Sequence, residues 1–258
     1  MLTLRSLSIA ALFVLCGCAK DDPIPTRPPQ TPVDTTVHTS VVPGPPLVDS
    51  RDGRTYGTVR VAGRLWMAEN LDFDTAVGAL SWCPGGVAGN CSTRGRLYSW
   101  RIAMRGDSTL PTQCDVHLDS SKSVCPAGWH LPSVAEWQAL FDSLGGSDHA
   151  GLVLKSTSGW DPSIAGASGS GLDSVGFDAL PAGYRTDGSQ GYGYYGHAGD
   201  TSAYFEQGST AAFWTRSNGL EGSCWSAWGV FLRKDYDVAE KVAVPRTSGL
   251  SVRCTANP

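Results

Sequence analysis

Between residues 133 and 144 the apolar side chains Val134, Trp137, Leu140, Phe141 and Leu144 recur at the spacing of one helical face. Ser133 stands where an N-cap would, Pro132 precedes it, and Glu136 three positions on completes a capping box. Gly145-Gly146 supplies the C-terminal stop. The spacing therefore predicts a helix over Ser133–Leu144, and a second, shorter one is expected around Leu97–Met104. Upstream, Thr58–Val61 and Arg64–Met67 flank Ala62-Gly63 and read as a hairpin. The runs Phe177–Arg185, Ala211–Arg216, Trp225–Arg233 and Leu250–Cys254 read as short strands between loops rich in Gly, Ser and Asp. Two short helices early and short antiparallel strands late make an α+β domain with long loops.

The N-terminus follows a different pattern. Arg5 gives a basic start, and Leu7–Leu15 form an apolar run too short to span a bilayer, which needs about 20 residues. The run leads into Leu15-Cys16-Gly17-Cys18, which resembles a bacterial lipobox. Cys18 fits the acylated position, since Leu15 and Gly17 then occupy −3 and −1. Residues 1–17 are thus expected to be a lipoprotein signal peptide and Cys18 the lipidation site. Ala19 follows in place of the aspartate that resembles an inner-membrane retention signal, so outer membrane or cell surface is the expected location. Asp21–Val48 holds eight of the sixteen prolines and no aromatic residue. Residues 18–48 therefore read as a lipidated cysteine followed by a disordered stalk, whose 28 residues from Asp21 reach at most roughly 85 Å.

Composition narrows what the remaining 49–258 can be. The chain of 258 residues carries 20 basic and 24 acidic side chains, a net charge of −4, which offers no footprint for nucleic acid. All the Trp and Tyr lie in 49–258, with six of the eight cysteines. An even number in an exported chain implies a disulfide framework, for which sequence alone allows fifteen pairings. Pairing nearest neighbours gives Cys83–Cys91, Cys114–Cys125 and Cys224–Cys254. There is no C-x-x-C pair to suggest a zinc ribbon or a thioredoxin-type site.

The order of several segments resembles the Fibrobacter succinogenes major paralogous domain. These are Asp52-Gly53-Arg54-Thr55-Tyr56, Trp66-Met67-Ala68-Glu69-Asn70-Leu71 and Gly95-Arg96-Leu97-Tyr98 with Trp100. Next come Cys125-Pro126-Ala127-Gly128-Trp129-His130-Leu131-Pro132-Ser133 with Glu136-Trp137, then Leu154–Trp160. Gly176–Arg185, Phe213-Trp214-Thr215 and Ser251-Val252-Arg253-Cys254 complete the series, so the resemblance spans essentially all of 49–258. It implies a C-type-lectin-like fold, related to that of formylglycine-generating enzymes, on surface lipoproteins. It does not imply an activity. The glycine-rich stretch near Gly166–Gly171 and Trp214-Thr215-Arg216 depart from the pattern.

The motif residues Trp66, Glu69, Asn70, Trp129, His130 and Trp137 suit core and turn geometry better than catalysis. The five histidines show no ligand spacing on a helix, so no metal site is expected. An oxidase resembling the formylglycine generators would need a closely spaced thiol pair, which paired cysteines do not offer. Asp173/Asp178 and Asp235/Asp237 are too generic to support hydrolysis. A better candidate surface is the tyrosine-rich stretch 187–205, with Tyr192, Tyr194, Tyr195, Asp200 and Tyr204, and with Trp225 and Trp228 on the same face. Aromatic faces with a polar rim suit sugars. No cofactor is expected, although calcium is an alternative, with Asp235, Asp237 and Glu240 a weak ligand set. The sequence thus points to a non-catalytic binding or adhesion lipoprotein for polysaccharide, with an envelope protein as the alternative partner and the membrane reached through the lipid.

Overall fold

A computed structural model describes residues 41–76, 80–105, 122–186, 204–220 and 225–258. The expected signal peptide, Cys18 and the expected stalk as far as residue 40 lie outside the described residues, as do Cys114 and Cys224. Chain order begins with β1 (Leu47–Val48), β2 (Thr55–Tyr56), β3 (Thr58–Val61), β4 (Arg64–Met67) and β5 (Ser81–Trp82). α1 (Ala88–Arg94), β6 (Leu97–Ser99), α2 (Trp100–Arg105), β7 (Trp129–His130), α3 (Val134–Ser143) and α4 (Ser147–Leu154) follow. The remainder is strand: β8 (Tyr184–Arg185), β9 (Tyr204–Phe205), β10 (Thr210–Asn218), β11 (Ser226–Arg233), β12 (Ala239–Pro245), β13 (Gly249–Ser251) and β14 (Thr255–Ala256). The domain is α+β and mostly β, with four short helices among the described residues where the sequence predicts two.

The larger sheet runs β12-β11-β10-β13-β6-β5, with β8 and β9 attached beside β13. β10, β11 and β12 form an antiparallel meander, whereas β13 lies parallel to β10. Alternation along the central strands feeds a core on each face. Ala212, Trp214, Ala227 and Phe231 enter one, with Tyr98, Trp100 and Leu250. Ala211, Phe213, Val230 and Leu232 enter the other, where they meet Trp137, Leu140 and Phe141 of α3 and Ala150 and Leu154 of α4. Trp137 is the hub of this second core, with its ring 5.0 Å from Trp66, 5.5 Å from Phe213 and 5.7 Å from Phe177. Burial of each such aromatic contributes on the order of 2–3 kcal/mol.

A smaller sheet, β3-β4-β14-β7, joins the two ends of the domain. The expected hairpin is its first half, with Val61 opposite Arg64 across Ala62-Gly63. Beyond β3 the chain 42–44 continues the pairing, since Arg60 N–H donates to Val42 O and Gly44 N–H to Thr58 O. Leu47 is buried in the first core. Residues 41–48, assigned to the stalk from their prolines, therefore belong to the folded unit. Proline can sit there because it occupies the edge of the sheet.

The helix predicted from its capping box forms as expected. Ser133 Oγ accepts from Glu136 N–H at 3.2 Å, and Glu136 Oε2 accepts from Ser133 N–H at 2.8 Å. By contrast, the helix expected over Leu97–Met104 starts only at Trp100. Leu97–Ser99 is a strand buried between β13 and β5, and a short run buried on both faces carries no period to tell it from a helix. Phe177–Arg185 also departs from expectation. Gly176 and Asp178 adopt positive φ, Pro181 interrupts, and only Tyr184–Arg185 is strand. α4 was hidden by Gly151, whose missing Cβ lets the helix backbone approach Asp237 O, where a Cβ would come within 2.6 Å.

Two disulfides are described. Cys83–Cys91 forms as the nearest-neighbour pairing predicts, and it holds the polar helix α1. The pairings Cys114–Cys125 and Cys224–Cys254 are not made, because Cys125 bonds Cys254 across 129 residues. The small sheet contributes to this: Thr255 of β14 pairs with His130 of β7, and the turn in which Trp129 N–H donates to Pro126 O at 3.0 Å folds Cys125 back towards Cys254. In the chain-entropy picture a loop of that length contributes about 5 kcal/mol and the eight-residue loop about 2.5 kcal/mol. We expect Cys125→Ser/Cys254→Ser to lower the urea midpoint about twice as far as Cys83→Ser/Cys91→Ser; equal shifts would show that loop length does not govern the effect.

Glu136 does more than cap α3. Burial alone would raise its carboxyl, but hydrogen bonds from Ser133 and His130 hold it below the ordinary carboxylate range. Arg64 lies 3.1 Å from Oε1 and Arg216 3.7 Å from Oε2. A carboxyl depressed in the folded state stabilises above its unfolded value and loses that contribution as pH falls through its folded value. Acid titration of stability should therefore show a smaller loss below about pH 4 for Glu136→Gln than for the parent. Ser133→Ala should cost about 1 kcal/mol in denaturant unfolding at neutral pH.

Candidate functional site

The motif residues that invite a catalytic reading are engaged in holding the fold. Arg253 is fully buried, and all five of its N–H groups find acceptors. Nε and Nη2 donate to Asn70 Oδ1 at 3.1 and 2.7 Å, and Nη2 also donates to Asp178 O at 3.2 Å. Nη1 donates to Met67 O at 3.3 Å and to Phe177 O. The guanidinium lies 4.5 Å from the Phe177 ring centroid. Burial pulls its pKa down to about 10, which still leaves it charged near neutrality. Asn70 in turn donates to Arg94 O at 2.9 Å. Gly95, with φ +73°, lies so close to Asn70 that a Cβ would collide with it.

The other motif side chains are similarly occupied. Glu69 Oε1 accepts Gly57 N–H at 2.7 Å. The His130 ring contacts Asn257 Oδ1 at 2.8 Å and Glu136 Oε1 at 2.9 Å. Trp66 and Trp137 pack against each other at a tilt in the second core, and half-buried Trp129 packs on the first. A cleft beside Arg253, lined by Arg54, Glu69, Arg94 and Asp178 among others, has a volume of about 30 Å³. That holds a water and excludes a sugar ring. The weak calcium set does not converge either: Asp235 Oδ1 accepts Ile164 N–H at 2.7 Å, while Glu240 pairs with Arg233 at 2.9 Å.

Of the aromatic candidates, Tyr192, Tyr194, Tyr195 and Asp200 lie outside the described residues. Tyr204 is half-buried on β9, with its ring against the backbone of Gly86 in the Cys83–Cys91 loop. Trp228 is half-buried on β11, and the Lys241 ammonium lies 4.5 Å from its ring centroid. Trp225 is different, with 72% of its surface in solvent. Trp228 lies within β11, in phase with Val230 of the second core, whereas Trp225 stands at a bend just ahead of the strand.

The structure gives Trp225 two neighbours that sequence did not flag. Ser226 pairs with Pro245, so Arg246 stands directly across from Trp225, and Arg246 N–H donates to Trp225 O at 2.9 Å. The backbone bond sets the two residues side by side at the end of the β11–β12 ladder. The Arg246 guanidinium lies 4.3 Å from the Trp100 ring centroid, and it donates to Ser226 O at 3.1 Å and to Asn218 Oδ1 at 2.8 Å. Burial lowers its pKa without threatening its charge near neutrality. Asn218 is exposed at the end of β10. Only the β11–β12 register could have revealed this trio, since its members are far apart in sequence.

The structural reading of the motif residues has a direct test. Asn70→Ala removes the acceptor of two buried guanidinium donors and should cost roughly 3 kcal/mol in denaturant unfolding; a cost below about 1 kcal/mol would rule that reading out. No curated protein and no solved structure matches this chain. The profile of the Fibrobacter succinogenes major domain matches residues 59–255, which takes in the hairpin, Arg253 and its partners, and every strand of the larger sheet. The chain belongs to the Fibrobacter succinogenes major domain family.

Proposed function

We propose that this chain is a surface-anchored, non-catalytic binding lipoprotein that recognises polysaccharide through a C-type-lectin-like domain. The observation that carries the reading is Trp225, a large aromatic face left open to solvent beside Arg246 and Asn218. A pyranose ring offers an apolar face to stack on indole and hydroxyls to bond with neighbouring amide and guanidinium groups. The site is rigid where it needs to be, because Arg246 is fixed between the Trp100 ring and two oxygen acceptors. A preorganised site loses less ordering entropy on binding.

A non-catalytic role is supported by the use made of the polar motif residues. Asn70, His130, Glu136 and Arg253 are all engaged in internal hydrogen bonds. Four of the domain's six cysteines are in disulfides and are not thiols for an oxidase. Residues 1–17 serve as the export signal, acylated Cys18 as the anchor, and the proline-rich stalk as the spacer at the outer membrane or cell surface.

The test is retention of the intact chain on cellulose, xylan, pectin, chitin and peptidoglycan, with calcium and with chelator. We expect at least one polymer to retain it and Trp225→Ala to reduce retention roughly tenfold or more, as loss of a stacking aromatic does. Loss of retention in chelator would add calcium to the site. A folded chain retained by none of these polymers would overturn the reading in favour of an envelope protein partner.

A further inference from the structure

Resting on that reading, we infer that the sugar held at Trp225 is anionic: a uronate residue whose carboxylate pairs with Arg246. Among the described residues no carboxylate lies within ion-pair distance of Arg246, and its partners Ser226 O, Asn218 Oδ1 and the Trp100 ring are all neutral. Several other half-buried arginines of the domain are paired with carboxylates. Arg51 pairs with Asp49, Arg54 and Arg96 with Asp72, and Arg233 with Glu206 and Glu240. Arg246 instead keeps its charge next to the most exposed aromatic ring of the described residues.

The geometry suits an acceptor with two oxygens, one for Arg246 and one for Asn218. Nε and Nη2 are committed to protein oxygens, which fixes the plane of the guanidinium, while Nη1 makes no bond among the described residues. Asn218 accepts from Arg246 through Oδ1, so its amide nitrogen is left to donate. Two donors of adjacent side chains, one of them charged, thus stand beside the residue that carries the exposed indole. This is the arrangement that a sugar carboxylate requires and that a neutral hydroxyl uses only in part.

The net charge of −4 does not override this contact. At physiological ionic strength charges beyond about 8 Å are largely screened, so the nearest group decides. Uronates from galacturonan and from alginate share this chemistry, and both serve as probes.

The experiment measures binding of the intact chain to oligomers of polygalacturonate, to the same oligomers as methyl esters, to alginate oligomers and to neutral xylo-oligosaccharides. A charge-assisted contact predicts that esterification weakens binding roughly ten- to hundredfold, and that high salt weakens only the free acid. Arg246→Gln should remove the preference for the free acid, with Arg246→Lys restoring part of it and Trp225→Ala weakening every ligand. The esterified ligand needs no variant, so the test holds even if Arg246→Gln unsettles the Trp100 contact. Equal binding of acid, ester and xylan, all lost in Trp225→Ala, would overturn the uronate inference and leave polysaccharide binding standing. No binding of any sugar by the folded chain would overturn both. Tighter binding of alginate than of polygalacturonate, with the ester still weaker than the acid, would support the inference and identify the source.

Discussion

A charge buried without a direct salt bridge sets the terms for this fold. Taking a guanidinium out of water costs several kcal/mol, and Arg253 is stable inside only because every one of its N–H groups meets an oxygen. Those oxygens come from three separate stretches: the end of β4, Asn70 beyond it, and the loop at Phe177-Asp178. The carboxylates of Asp178, Glu69 and Asp173 add favourable electrostatics at longer range. None of these stretches can move alone without exposing a donor or an acceptor to an apolar core. The positive φ of Asp173 and Asp178 is tolerated on the same grounds, as the Asp173 carboxylate holds Asp178 N–H at 2.7 Å and the loop presents two carbonyls to the cation.

The same logic separates scaffold from site. Polar residues shared among the motif segments are turned inward and used up, while the Trp225 trio sits on the outer part of the β10–β11–β12 meander. Changes of side chain there leave the Arg253 cluster untouched. A fold arranged this way can keep its interior and vary what it presents at a strand end.

What could be read from sequence was local. The capping box at Ser133 and Glu136 and the hairpin across Ala62-Gly63 are complete within a dozen residues, and both appear in the structure as expected. Readings that needed long-range information fared differently. Leu97–Ser99 became a strand because β13, some 150 residues later, lies beside it. Cys125 passed over its neighbour because β14 returns to β7. For the site, residue type alone drew attention to Trp225, but the face it shares, and with which partners, depends on a cross-strand register. Arg246 carries no mark in sequence that distinguishes it from an arginine on any other loop.

The Cys125–Cys254 bond gives the domain a mechanical character. A load between an N-terminal attachment and a ligand at Trp225 would enter the chain through residues 42–44 and the edge of β3. Were strands to peel apart, the load would divide at the covalent link into the two arms of the closed loop, and the shorter arm, from Trp225 to Cys254, would limit the extension to roughly 100 Å of chain. Trp225, Arg246 and Arg253 all lie within that closed loop. The grip would therefore be tethered by two arms of chain in place of one.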